Sequence, residues 1–210
     1  MKKILIIPLL TSVFAFGQSF VPDAPELDLK SYILIEPNTN TVIAEFNSTS
    51  EIEPASMTKI MTAYVAADQI SNELIALDDE VLISEKAWRM EGSRMFIEAG
   101  KRVSVSDLLK GIIIQSGNDA SVAIAEYVGG TERGFVDLMN AYAGSLNMNN
   151  TNFQNSTGLP AVNHFSSAKD LAILTSNLIT EFPEIYSFYK ERQFTFNEIK
   201  QLNRNKLLWR

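Results

Sequence analysis

Pro54-Ala55-Ser56-Met57-Thr58-Lys59-Ile60-Met61-Thr62 opens an apolar run, and the rest of the chain is best read outward from it. Ser56 and Lys59 stand three residues apart. On a helix that spacing puts both side chains on one face. A serine hydroxyl is a poor nucleophile until a base takes its proton, and a neutral lysine one turn away is such a base. Lys59 lies among Ile60, Met61, Ala63, Tyr64 and Val65, a run that should be buried. Removing an amine from water lowers its pKa, which suits it to accept a proton near neutral pH. A serine at a helix N-terminus also has backbone N–H groups directed at developing negative charge. Taken alone, Ser-x-x-Lys arises often by chance, with the serine a simple cap and the lysine a snorkelling stem. The apolar setting favours the chemical reading.

The composition fits one domain with a real core: 210 residues, 46% hydrophobic and 20% charged. The net charge of −7 and the lack of a basic block argue against nucleic acid as a partner. There is no cysteine, which excludes thiol catalysis, zinc–thiolate sites and disulfides. Residues 1–17 have the layout of a secretory signal peptide: Lys2-Lys3, an apolar run from Ile4 to Phe16, and small residues at Ala15 and Gly17. That run is too short for a comfortable membrane span, which takes roughly 20 residues. Residues 18–29, with Pro22, Pro25 and several acids, read as a linker, leaving 30–210 as the folded unit.

Ser31–Glu36 and Thr41–Phe46 read as strands of a β-hairpin around Pro37-Asn38-Thr39-Asn40. Ser56–Ile70 reads as a central buried helix. A short strand is expected at Glu80–Ile83 and a long loop at Ala87–Gly100. Val105–Ile114 reads as a helix capped by Ser104 or Ser106. Further helices are expected at Asp119–Val128, Glu132–Leu146 and Ser167–Ile179, with a polar loop over Asn147–Asn163 and a strand over Gln193–Ile199. No internal repeat or low-complexity segment is present. Strands at both ends of a helical middle predict an α+β domain.

A second candidate site is Ser116-Gly117-Asn118, which breaks two apolar helices. The plain alternative is a glycine-assisted break with Asn118 capping the next helix. The functional reading makes Ser116 a proton relay near Lys59 and sets the Asn118 amide on a substrate peptide carbonyl.

Together the two motifs resemble the D-alanyl-D-alanine carboxypeptidases, the low-molecular-mass penicillin-binding proteins. Ser31-Tyr32-Ile33-Leu34-Ile35, the 54–62 stretch, Gln115-Ser116-Gly117-Asn118-Asp119-Ala120, Ser166-Ser167-Ala168-Lys169-Asp170-Leu171-Ala172 and Phe194-Thr195-Phe196-Asn197 with Gln201-Leu202-Asn203-Arg204-Asn205 carry the resemblance, in the family's order. It implies the β-lactamase/DD-peptidase-like fold, a helical cluster with an antiparallel sheet. It implies Ser56 as acylated nucleophile, Lys59 as proton acceptor, Ser116 and Asn118 as the second motif, and Arg204 in a segment whose arginine receives the substrate's terminal carboxylate. The implied substrates are peptidoglycan stem peptides, with β-lactams as covalent inhibitors. No metal or organic cofactor is implied.

Two features depart from the family pattern. Its third motif, Lys-Thr-Gly, is absent from these 210 residues. The expectation is a chain truncated before that motif, before the remaining strands and before a C-terminal membrane-surface helix, and hence nearly inactive alone. Losing one oxyanion donor typically costs ~10²–10³ in rate. A histidine common before Gly158 is replaced by Thr157, to which no catalytic role is given. The alternatives are a serine β-lactamase and a catalytically incomplete cell-wall binding module. Export would place the mature protein in the periplasm, at the inner membrane in its full-length form. The single histidine, His164, reads as a solvated loop residue. Asp170 reads as a cap or a supporting carboxylate near a helix start, Arg89, Glu91 and Arg94 as a solvated loop face, and Phe182, Tyr186, Phe188 and Tyr189 as packing.

Overall fold

A computed structural model describes residues 27–39 and 41–210. The expected signal peptide and most of the expected linker lie outside them. Strands β1 (Tyr32–Glu36) and β2 (Thr41–Phe46) form the antiparallel hairpin, with a register shift between Leu34 and Ile35. Leu34, Val42, Ile43 and Phe46 on this hairpin are exposed, the kind of apolar strand surface that invites pairing with another chain.

Helix α1 (Thr58–Ser71) runs through the centre, where Met61, Ala63, Val65 and Ala66 have no accessible surface. A helix apolar on most faces is stable only when other elements surround it. Strand β3 (Glu80–Leu82) pairs with β4 (Arg102–Ser104), a strand of three residues too short to show a period in the sequence. Between them helix α2 (Glu85–Trp88) precedes the long loop. Ser104 caps helix α3 (Val105–Lys110) by accepting from the Asp107 N–H at 3.1 Å, which settles the choice between Ser104 and Ser106.

The α3 rod then loosens into one π-helical turn, Gly111–Gln115. A Cβ at Gly111 would lie 2.3 Å from Met95 Sδ, so Met95 would have to shift to admit any other residue there. Helices α4 (Asn118–Gly129), α5 (Glu132–Ser145) and α6 (Ala168–Glu181) complete the cluster. Thr131 caps α5 and Ser167 caps α6. Phe135 and Met139 of α5, Leu174 and Leu178 of α6 and Phe153 from the following loop fill the space around α1.

Helix α7 (Pro183–Tyr186) and a 3-10 turn lead to strands β5 (Gln193–Phe196) and β6 (Ile199–Leu202). The single strand expected at Gln193–Ile199 is therefore half of a second hairpin. Its turn puts Asn197 and Glu198 at φ of 45° and 61°. Two-residue hairpin turns favour such backbone, but they usually announce themselves with glycine. A glutamate in that conformation gives no sequence signal. The predicted α+β class holds, with antiparallel strand pairs against a helical cluster. Among the described residues no helix is long and apolar enough to cross a membrane.

Candidate active site

Ser56 is not on α1 itself. It occupies a 3-10 turn, Ala55–Met57, that precedes the helix, closed by the Met57 N–H on the Pro54 carbonyl at 3.0 Å. Ala55 enters the turn at φ 46°, a left-handed conformation that an L-residue adopts only under constraint. The result separates the two partners by environment. Ser56 is exposed, while Lys59, in the first turn of α1, is 4% exposed.

Among the described residues the Lys59 Nζ has three hydrogen-bond contacts. It is 3.5 Å from Ser56 Oγ, 2.8 Å from Asn118 Oδ1 and 2.5 Å from the Thr157 carbonyl oxygen. The Asn118 amide is oriented by its other end, since Nδ2 donates to the Glu91 carbonyl at 2.7 Å. Asn118 Oδ1 and Thr157 O can only accept. A neutral amine spends its two N–H groups on them and turns its lone pair to the Ser56 hydroxyl. The amine is brought down to about 8, first by burial and then by the positive charge of Arg204, with the Asp119 carboxylate opposing.

The Asn118 amide bridges Lys59 and the backbone of Glu91, leaving one Nδ2 hydrogen for any substrate.

Ser116 closes the π-helical turn in the left-handed region, at φ 61°. Such backbone costs of order 1–3 kcal/mol and concentrates at functional sites. Its Oγ is buried and has no hydrogen-bond partner among the described residues. Buried hydroxyls are rarely left so, and this one is available to a proton or a ligand. Gly117 allows the turn, because a Cβ there would lie 2.9 Å from Asp119 Oδ1. Ser116 and Arg204 line the same cavity of about 640 Å³. Arg204 donates to Ser93 Oγ, on the loop that also carries Glu91.

Sequence reasoning missed the residues that hold this frame. The first is Asp119, 1% exposed. Its carboxylate accepts from the backbone N–H groups of Met95 (3.0 Å), Phe96 (2.9 Å) and Ile97 (3.3 Å), and from Ala120 (2.9 Å). The second is Thr157, whose hydroxyl is occupied by Asn155 but whose carbonyl meets Lys59. Gly158 presses that loop on the serine turn so closely that a Cβ would lie 1.8 Å from the Ala55 oxygen.

The third is His164, which is not a solvated loop residue. It is 6% exposed. Its Nδ1 accepts from the Gln154 N–H at 3.0 Å, so the proton sits on Nε2 and is donated to Thr58 Oγ1 at 2.8 Å. Burial pushes its pKa down. The ring therefore braces the residue next to Lys59 and takes no part in a Ser-His-Asp arrangement. A lone histidine ahead of Phe165 gave no hint of this.

Other expectations hold. Asp170 ties the loop start at Asn150 and Thr151 to α6. Arg89 pairs with Glu85 at the surface, and Phe182 packs edge-on against Tyr64.

The sequence profile of the D-alanyl-D-alanine carboxypeptidase family matches residues 18–210. The chain is 45% identical over 201 residues to the D-alanyl-D-alanine carboxypeptidase DacC of Escherichia coli K12, covering 93% of this chain and 50% of that protein. It superposes on penicillin binding protein 6B from Escherichia coli with a TM-score of 0.87 at 41% identity, over 91% of this chain and 62% of the other. Penicillin binding protein 5 from Haemophilus influenzae gives the same TM-score of 0.87 and 41% identity, over 90% and 56%. The chain spans about half the length of the curated relatives it matches. Its fold, and the profile match from residue 18 to residue 210, make it a member of the D-alanyl-D-alanine carboxypeptidase family.

Proposed function

We propose that this chain carries the nucleophile and base of a serine-type D-Ala-D-Ala carboxypeptidase, which removes the terminal D-alanine from peptidoglycan stem pentapeptides. The observation that carries this is the setting of the Lys59 amine: buried, lowered to about 8, and pinned by two acceptor-only oxygens so that its lone pair faces Ser56. Neutral Lys59 takes the Ser56 proton while Oγ attacks the penultimate D-alanine carbonyl. The tetrahedral intermediate collapses with cleavage of the C–N bond. The departing amine takes a proton from Lys59 by way of Ser116. Water then hydrolyses the ester, with Lys59 accepting its proton and passing it to the departing Ser56 oxygen. The 3.5 Å from Nζ to Oγ is long for proton transfer, and such contacts shorten when substrate binds. Arg204, at the cavity shared with Ser116, is the receptor for the substrate carboxylate.

A β-lactam meets the same hydroxyl, and opening its ring leaves an ester on Ser56. The basic and apolar layout of residues 1–17 supports export across the cytoplasmic membrane, where these substrates are found.

The test is incubation of the full-length protein with a labelled penicillin, followed by intact mass and peptide mapping. A long-lived adduct on Ser56, absent in Ser56→Ala at an unchanged melting temperature, supports the peptidase. Rapid turnover of the penicillin identifies a β-lactamase instead. No adduct, or one on another side chain, removes the proposal and leaves a binding module.

A further inference from the structure

The carbonyl that pins Lys59 belongs to a loop, and a loop carbonyl is only as well aimed as the residues that hold it. Thr157 follows Ser156, which is fully buried. The Ser156 carbonyl accepts from Thr62 Oγ1 at 2.7 Å. Its N–H and Oγ both donate to one oxygen of Glu132, at 3.2 and 3.0 Å. The other oxygen of Glu132 pairs with Lys86 Nζ at 2.6 Å, and the Glu132 side chain is 15% exposed. Lys86 and the hydrogen bonds from Ser156 hold its carboxyl below the usual range despite burial. A chain of contacts thus runs from α2, through the first residue of α5, to the peptide that faces the Lys59 amine.

We propose that Glu132 is a positioning residue for the Ser56–Lys59 pair, acting through Ser156 to aim the Thr157 carbonyl at Nζ. This rests on the reading of Lys59 as the base. The ionic partner is dispensable in this scheme: what matters is an oxygen acceptor for Ser156, with Lys86 only steadying it. Glu132→Gln removes the carboxylate charge but keeps the acceptor, so it separates a moved carbonyl from a removed charge.

The experiment follows the Lys59 side chain by carbon-13 NMR through a pH titration in the unsubstituted protein, Glu132→Ala, Glu132→Gln and Lys86→Ala. Glu132→Ala leaves the ammonium without its carbonyl acceptor and lowers the midpoint by about one pH unit. Glu132→Gln keeps an oxygen for Ser156 and restores the midpoint, and Lys86→Ala leaves it in place. Penicillin labelling of Ser56 falls about ten- to a hundredfold in Glu132→Ala and recovers in Glu132→Gln. An unmoved Lys59 midpoint in Glu132→Ala overturns the proposal. So does a Lys86→Ala midpoint that moves as far as that of Glu132→Ala, which would make the ion pair a general brace. Failure of the unsubstituted protein to label would count against the peptidase reading alone, since the titration decides the role of Glu132 without any acylation.

Discussion

Replacing Lys59 by methionine should make stability less dependent on pH while abolishing acylation. The folded protein holds this amine at about 8 against an ordinary 10.5. At about 1.36 kcal/mol per pH unit, that gap disfavours the ammonium by about 3 kcal/mol at pH 7, relative to the unfolded chain. The sign follows from proton counting. Between 8 and 10.5 the unfolded chain binds more protons than the folded one, so stability rises with pH through that window. Below it both states are charged and the penalty is constant; above it the penalty is gone. Between pH 7 and pH 10 the unsubstituted protein should therefore gain roughly 2.5 kcal/mol that Lys59→Met does not gain.

The substitution also leaves Asn118 Oδ1 and Thr157 O without their donor, a cost of about 1–3 kcal/mol each that does not vary with pH. Burial raises the hydroxyls of Tyr64, Tyr142 and Tyr189, which lowers stability at high pH equally in both proteins. The assay is urea denaturation at several pH values, read by tryptophan fluorescence, and the quantity is the difference between the two proteins. A difference that stays constant to within about 0.5 kcal/mol from pH 7 to 10 refutes a depressed Lys59, and with it the account of how Ser56 is activated. In parallel, Ser56 labelling by penicillin in the unsubstituted protein should rise with pH around a midpoint of about 8.

Gly158→Ala should destabilise by more than about 2 kcal/mol and slow Ser56 labelling about a hundredfold, because the loop must retreat from the Ala55 oxygen and takes the Thr157 carbonyl with it. Gly100→Ala is the control: its φ of +77° is similar but nothing lies within 4 Å, so only about 1 kcal/mol is lost, and equal losses at the two sites would contradict the contact. Asp119→Ala should cost about 3 kcal/mol or more in denaturation and strip hydrogen-exchange protection from the amides of Met95 and Phe96. His164, lowered by burial from its ordinary 6.5, binds its proton first in the unfolded chain. Stability should thus fall as the pH drops below about 6.5, and His164→Gln should flatten that slope in thermal melts between pH 7 and 5.

Local rules in the sequence determined a good deal of this protein. The three-residue spacing of Ser56 and Lys59, the apolar periods of α1, α4, α5 and α6, and the serines that open α3 and α6 each act within a turn or two of chain, so they could be read directly, while the choice of Ser104 over Ser106 as a cap came from the structure. The same holds for the first hairpin, with its turn residues between alternating strands. Short elements escaped: β4 has no room for a period, and the Asn197-Glu198 turn lacks the glycine that marks such backbone.

Packing between distant segments set the state of the chemical groups. The Lys59 amine is lowered because packing buries it, and Asn118 and Thr157, 59 and 98 residues away, accept its hydrogen bonds. His164 braces the neighbouring Thr58 across 106 residues, and Asp119 gathers backbone groups more than twenty positions upstream. A pKa and a hydrogen-bond direction depend on what the packed chain brings within about 3 Å, and neither periodicity nor composition carries that information.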